Sequence, residues 1–549
     1  MKKIFYAIII TVLGASLLGC KEQLTTNDAT KVEAGTFTGS TAGLNQILTS
    51  TYRAFLIGDP QEQPGASYQG ISGFLMLYDL MGSDCVVNKN YGSSPEPIYE
   101  FSSSRTMSTG DAHYIWETMY KAINEANIII ANVGNASGSE SDKAALRGQA
   151  LAIRAFCYFH LLLNYQQTYA IARNKRGVIL RLSPDDNENK GFSTVEECYD
   201  QVVKDLTEAE TDLASFNRSE KWQVDASVAA GMLARVYQVM GNWEGAYSEA
   251  NKVYKKYSTL MSKEQWCSGM DKLMGNGCAE LVWGCKYTNT SNVGSNTVFN
   301  NWWNFDPSYG EGMTTGPLYH FLCIFVDQTY VDLFDDTDYR GTRCDKTEGV
   351  TDTDEHNVMF WHRTANGDVQ IRSKWAYNKL RSYGDGTYEG HTNSNHSYDI
   401  DVPLMRGSEM LLIMAEAQAN LGKTSEALGL LNTLQQARNA KLSTTSVKDD
   451  LLEAIYVERR KELLGEGLTG SYDLLRLQKD LVRYEATASN PAGHFSWGMT
   501  ELDGYNGSDA VPMGTLKSND YRFICQIPQL EITTNKAVTE NDQNPFRGQ

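Results

Sequence analysis

Residues 408–438 read SEMLLIMAEAQANLGKTSEALGLLNTLQQAR, and the pattern is that of two antiparallel helices closed by a tight turn. Met410, Met414, Ala417 and Leu421 recur at alternating steps of four and three, which gathers them on one helical face. Gly422 follows as the left-handed residue that ends such a helix and lets the chain reverse. Beyond the turn, Ala427, Leu430, Leu431 and Leu434 form the facing stripe, and the small Ala415 and Ala427 allow the two backbones to approach closely. This is the helix pair of tetratricopeptide-type repeats.

The same hairpin is echoed earlier in the chain. Ala234, Gly241, Ala246 and Asn251 match Ala415, Gly422, Ala427 and Asn432 at one constant offset. A single helical hairpin cannot bury its apolar face, so two of them predict a stacked helical scaffold with other helices filling between. Helical periodicity is also present in Leu44, Ile47, Leu48, Thr51 and Phe55, and over residues 73–81, 113–133, 142–165 and 447–464. Ser193 with Glu196 predicts a capping box at the head of a helix reaching Leu213. Between residues 266 and 402 the periodicity fades into Gly, Asn, Asp, Tyr and Trp, with short strand-like pieces at 280–285 and 358–362. Polar, irregular stretches at 82–110 and 490–519 complete the body, and Trp361 and Trp375, in strand-like context, are expected in the core.

With 549 residues, 41% hydrophobic and 21% charged, the chain can bury a large core. Its net charge of −18 repels phosphate backbones, which makes nucleic acid a poor partner. Lys2 and Lys3 precede an apolar run from Ile4 to Leu18 that is too short to span a bilayer and reads as a secretory signal. It closes on Leu17, Leu18, Gly19 and Cys20, which resembles the bacterial lipobox, whose cysteine carries the lipid. The expectation is signal peptide 1–19, lipidated flexible tether 20–40, and one large domain from 41 to 549 held on a membrane only by acyl chains. Nine further cysteines, an odd number without a metal-like spacing, read mainly as small buried apolar residues. Pairing among Cys267, Cys278 and Cys285 stays open at this level.

In this order the segments resemble the SusD/RagB family of surface nutrient-binding lipoproteins. The resemblance runs from Cys20 to the C-terminus. It is carried by Trp116-x3-Tyr120-x2-Ile123-x3-Asn127, the helix around Arg154, Ala155, Tyr158 and Phe159, and both hairpins. Further carriers are the run Glu458 to Leu463 with Glu466-Gly467 and Asp473 to Arg476, and the close at Ile527-Pro528, Glu531 and Gln543 to Pro545. Leu468, Thr469 and Gly470 depart from the family pattern, which puts a local ion pair in question. Residues 458–462 otherwise read as a solvated, charge-paired helix face. The resemblance implies a mostly α, SusD-like helical scaffold (about 41–265 and 403–489) with tetratricopeptide-like helix pairs. It also implies a loop-rich insertion carrying short strands (266–402) and a C-terminal segment (490–549). It further implies outer-membrane, cell-surface anchoring, a SusC-like TonB-dependent transporter as partner, and capture of oligosaccharide, or peptide in the RagB branch.

Sugar rings are apolar across their faces and polar at the rim, so a sugar site needs aromatic platforms beside amides or charges. Tyr287, Trp302, Trp303 and Tyr309 interleave with Asn289, Asn300, Asn301 and Asn304, and are the first candidates. Asn88 and Tyr91 are the second, because in similar proteins these two loops converge. Enzyme signatures fail. Gly39-Ser40-Thr41-Ala42-Gly43 imitates a nucleophile elbow but has Thr at the nucleophile position. His391 and His396 lack a third ligand at metal spacing, and Asp336, Asp338 and Gly341 echo a calcium loop in which Arg340 and Thr347 occupy donor positions. The reading is therefore a non-catalytic binding protein without metal or cofactor; the less favoured alternative is a surface glycoside hydrolase.

Overall fold

Helix after helix packs on its sequence neighbour, because each presents a stripe of Ala and Leu that only another helix can cover. The computed structural model describes residues 37–56, 70–87, 95–102, 107, 111–184, 186, 188–267, 270, 273–274, 277–287, 324–344, 360–363, 374–377, 379–380, 400–485, 493–494 and 514–545. Its main helices are α1 (Thr41–Leu56), α2 (Gly70–Leu80), α3 (Asp111–Asn132), α4 (Glu140–Tyr165), α5 (Val195–Asp212), α6 (Ala226–Met240) and α7 (Trp243–Lys256). These are followed by α8 (Gly407–Asn420), α9 (Thr424–Ala437), α10 (Lys448–Leu463), α11 (Ser471–Arg476) and α12 (Gln529–Thr534). Helices α3 to α9 stack in series, and α7 packs directly on α8 although some 150 residues of chain separate them. The protein is thus a mostly α scaffold built on two tetratricopeptide-like pairs, α6/α7 and α8/α9.

The echoed residues occupy equivalent places. Ala234, Ala246, Ala415 and Ala427 are fully buried at the helix contacts, and Gly241 and Gly422 both take the left-handed conformation, at φ +72° and +78°. A Cβ on Gly422 would meet nothing within 4 Å, so Gly422→Ala should cost only the backbone strain, about 1 kcal/mol. Chemical denaturation of the variant measures this, and a loss above roughly 3 kcal/mol would mean the turn is also packed.

Three expectations need correcting. Helix α8 does not bury one face; every residue from Gly407 to Ala419 is buried, including Glu409 and Glu416. It is a central rod, and its acids are paired: Arg235 Nε donates to Glu409 at 2.6 Å, and Arg476 Nη1 to Glu416 at 2.6 Å. The capping box at the head of α5 is Thr194 with Glu197, one residue later than expected. Residues 37–40, expected within the tether, already belong to the fold: Ser40 bridges to Ser137, and the Ser40 hydroxyl accepts from Gly43 N at 3.1 Å at the head of α1, which is a turn and not a nucleophile elbow.

Strands lie where periodicity faded. Strands β1 (Cys85–Val87), β3 (Ile324–Val326), β4 (Arg343–Cys344), β5 (Phe360–Arg363) and β6 (Lys374–Tyr377) make a sheet in the order β1-β3-β6-β5-β4. Strands β2 (Leu281–Tyr287) and β7 (Ile400–Arg406) pair antiparallel, as do β8 (Leu481–Arg483) and β9 (Gly514–Leu516). The stretches 82–110 and 490–519 are therefore not wholly irregular, since β1, a short helix Glu96–Tyr99 and β9 lie in them. Trp375 is buried as expected, and the side chain of Trp361 lies outside the described residues. Cys85, Cys157, Cys198, Cys267, Cys278, Cys285 and Cys525 are buried, and among the described residues Cys267, Cys278 and Cys285 are not joined by a disulfide.

Candidate functional site

Asn88, Tyr91, Trp302, Trp303 and Tyr309 lie outside the described residues, as do Cys20, His391 and His396. Tyr287 is the last residue of β2, paired with Ile400; its side chain is also outside them. What the structure fixes is where the candidate segments leave and rejoin the fold. Strands β1 and β3 run antiparallel with Val87 opposite Ile324. The chain therefore departs toward Asn88 at the same sheet end where it returns from the segment bearing Trp302, Trp303 and Tyr309.

The stem of the central segment is locked to the scaffold by a buried ion network. Glu462, in the last turn of α10, accepts from Arg340 Nη1 at 2.8 Å, Arg406 Nη1 at 2.8 Å and Arg438 Nη2 at 2.9 Å. Glu280, just before β2, accepts from Arg406 at 2.5 Å and Arg438 at 3.1 Å. Lys379 donates to Glu466 at 2.6 Å and to the carbonyls of Glu462 and Leu464, both at 2.7 Å. Asp338 and Glu458 close the set against Arg340 and Lys461. The indole of Trp266 lies beneath Lys379, Arg406 and Arg438 at 4.9–5.3 Å, which adds cation–π attraction. Burial alone would raise the Glu462 carboxyl, yet Arg438 and Arg406 outweigh it and hold the group well below the usual carboxylate range.

This overturns the solvated-face reading of residues 458–462. Glu458, Arg459, Lys461 and Glu462 are all buried; Glu458, Lys461 and Glu462 find Arg340 or Asp338 more than a hundred positions away, and Arg459 pairs with Asp473 beyond the helix end. Local pairing along a helix cannot reveal that. The run's remaining basic residue, Arg460, reaches Asp84, four residues before Asn88, at 3.0 Å from Nε. Leu468, Thr469 and Gly470 carry no charge, so the local ion pair placed in question is not formed by them; Glu466 pairs instead with the distant Lys379 and Arg406, and the departing residues have another task. Asp79 of α2 accepts from Gly465 N, Gly467 N and Thr469 Oγ1, although burial still pushes its carboxyl up to about 6. Asp338 is spent on Arg340 and Lys461, so the calcium-like spacing has its acid committed to cations. Among the described residues no group of His, Cys, Asp and Glu could hold a metal ion, and no helix is long and apolar enough to cross a membrane.

A signal for the missed residues was in the sequence. Arg406 and Glu280 sit in otherwise apolar or small-residue runs, Leu404-Met405-Arg406-Gly407 and Cys278-Ala279-Glu280-Leu281. Charges in such settings are buried only when paired.

Two family models match the chain: one described as starch-binding associating with outer membrane, over residues 81–238, and one described as SusD family, over 345–546. SusD-like protein P38 of Formosa agariphila is 22% identical over 427 residues, covering 71% of this chain and 78% of its own. SusD-like protein P2 of the same organism is 24% identical over 500 residues, covering 87% and 91%. The fold is similar to the crystal structure of a SusD-like carbohydrate binding protein from Bacteroides vulgatus, with TM-score 0.72, 26% identity, and 92% and 98% of the two chains covered. Surface glycan-binding protein A from Bacteroides uniformis shares the fold at TM-score 0.64 and 16% identity, over 92% and 99%. With both family models matched, relatives aligned along most of its length and the fold shared over 92% of the chain, the chain belongs to the SusD/RagB family.

Proposed function

We propose that the protein is a non-catalytic lipoprotein, acylated at Cys20, that captures extracellular oligosaccharide at the cell surface and delivers it to a SusC-like TonB-dependent transporter. The observation that carries the reading is the pairing of Val87 with Ile324, which brings together the ends of the two segments richest in exposed-type aromatics and amides. Asn88, Tyr91, Tyr287, Trp302, Trp303 and Tyr309 are the assigned contacts. A buried, charge-locked stem suits this task, because a rigid base lowers the ordering cost of the loops it presents. The similarity to a SusD-like carbohydrate binding protein from Bacteroides vulgatus supports a sugar over a peptide.

The test is retention of purified protein on glycan and peptide arrays, followed by calorimetry on the best ligand. Saturable glycan binding without product release is expected. Changing Trp302 and Trp303 together to Ala should weaken it by roughly 30-fold or more, the ~2 kcal/mol of a hot-spot aromatic. Unchanged affinity removes the site assignment, retention on peptides alone favours the RagB-type function, and release of new reducing ends makes the protein an enzyme.

A further inference from the structure

The motif Trp116-x3-Tyr120-x2-Ile123-x3-Asn127 does more than pack α3. Its face forms one wall of a cleft of about 410 Å3, closed on the other side by Arg181, Ser183, Asp186, Glu188 and Asn189 and by α12 with Asn535. That volume lies within the range of small-molecule sites.

The wall is fixed from behind. The Tyr120 hydroxyl donates to the Ile179 carbonyl at 2.8 Å and accepts from its amide at 3.1 Å, and the half-buried ring stands 4.8 Å from the Trp116 indole. Asn127 Nδ2 donates to the carbonyls of Arg181 and Ser183 at 3.0 and 3.2 Å, while its Oδ1 accepts from Arg154, itself paired with Asp205. The Tyr158 hydroxyl exchanges two further hydrogen bonds with the Arg181 backbone, both at 2.7 Å. A turn held by this many bonds is preorganised and needs no ligand to set its shape.

Arg181 Nη1 donates to the backbone carbonyls of Asp186 and of Glu188, the latter at 3.2 Å, and so braces the turn. The carboxylates stand farther off, Asp186 at 3.8 Å from Nη1 and Glu531 at 3.6 Å from Nη2, so neither makes a direct hydrogen bond to the fork and Nη2 is the donor left toward Glu531 and the cleft. Glu531 Oε1 is steadied by Asn535 Nδ2 at 2.8 Å. Ser183 and Glu188 stand exposed at the rim. An aromatic plane beside a split guanidinium, carboxylates and a hydroxyl is the set that grips a polyhydroxylated ring. Asp186, Glu188 and Glu531 outnumber Arg181 and Lys190, the second of which pairs with Asp186, so the net charge around the cleft is negative and disfavours an anion.

We propose that this cleft is a second ligand site, separate from the segments around Val87 and Ile324, and that it takes a short neutral saccharide in preference to an acidic one. The ring would lie against Tyr120 with its hydroxyls shared between Arg181 and Glu531. The site stands on residues of the scaffold alone, so it holds whatever the central segment binds.

The test uses maltose and cellobiose as neutral probes and digalacturonate as the acidic one, at millimolar concentration, read by saturation-transfer NMR and by crystal soaking. Density in the cleft and transfer to a neutral disaccharide are expected, together with weaker transfer to digalacturonate. Ser183→Trp should cut cleft binding at least tenfold by filling the mouth, and Glu188→Trp provides a second block if the first variant misfolds. The double change of Trp302 and Trp303 to Ala should leave the cleft signal intact. No density with either neutral probe, equal transfer in both blocked variants, or equal uptake of digalacturonate would each overturn the proposal.

Discussion

Replacing Glu462 by leucine should cost about 3–5 kcal/mol of stability, the usual consequence of removing one partner from a buried charge set. The set is balanced: Glu280, Asp338, Glu458, Glu462 and Glu466 face Arg340, Lys379, Arg406, Arg438 and Lys461. Glu462 is the one carboxylate that touches three guanidiniums, all wholly buried, so its loss leaves net positive charge where water cannot reach. Those guanidiniums come from the 3₁₀ turn before β4, the end of β7 and the end of α9, so the damage should concentrate on the stem of the central segment. The solvent-facing pair of Lys517 with Asp480 is the control: Asp480→Ala should change stability far less, because water and salt screen such a pair. Urea denaturation of the three proteins decides the matter, and a Glu462→Leu loss no larger than the control's would refute a structural role for the network.

Acid provides a second reading of the same comparison. Glu462 and Glu280 have carboxyl pKa values held below the ordinary value in the folded state. A depressed folded value adds stability that is complete above the unfolded pKa, about 4.3 for Glu, and is lost as pH falls through the folded one. The gap between wild type and Glu462→Leu should therefore stay constant from neutral pH down to about 5 and narrow only below about 4. A gap that widens on acidification would reverse the sign of the assignment.

The helical half of this fold could be read from sequence because its determinants are local. Ala at fixed offsets around Gly241 and Gly422 sets a backbone approach and a turn, and both act within one hairpin. The cap of α5 was misplaced by one residue for a tertiary reason. Ser193 and Thr194 each have a glutamate three positions on, but the Ser193 backbone is committed to Gly177 and Val178. That leaves Thr194 to cap. The ion network was illegible because Arg340 and Glu462 are 122 positions apart, and a charged helix looks solvated until its distant partners are known. The meeting of β1 with β3 was hidden for a similar reason: strands of three residues carry no periodicity, so only the ladder between Val87 and Ile324 reveals that the candidate loops share a sheet end. The aromatics themselves were legible as composition, whereas the Tyr120 cleft was visible only as a helix face.

Arg483→Met should cost a further sort of stability, local to the base of the Asn88 loop and about 3–5 kcal/mol in size, from three charged hydrogen bonds lost in a buried place. Arg483 ends β8 and is 2% exposed. Its Nε donates to the Gly82 carbonyl at 3.0 Å, Nη1 to Tyr99 at 2.7 Å and Nη2 to Leu80 at 2.8 Å, with the guanidinium 4.0 Å over the Tyr99 ring. One side chain thereby ties together the chain on both sides of residues 88–94. The tie also helps hold Phe101, a buried aromatic with φ +63°, in a backbone conformation such residues rarely adopt. Methionine keeps the length and apolar stem but gives none of the donors. Hydrogen exchange should accelerate in residues 80–87 and 95–102 while α6 to α9 stay protected, because the helical stack makes no use of this arginine. If ligand is gripped where β1 meets β3, affinity must fall in proportion to the fraction of molecules whose loop base has opened. Unchanged exchange at 95–102 would show the guanidinium to be dispensable. Faster exchange with full affinity would instead place the ligand away from this end of the sheet.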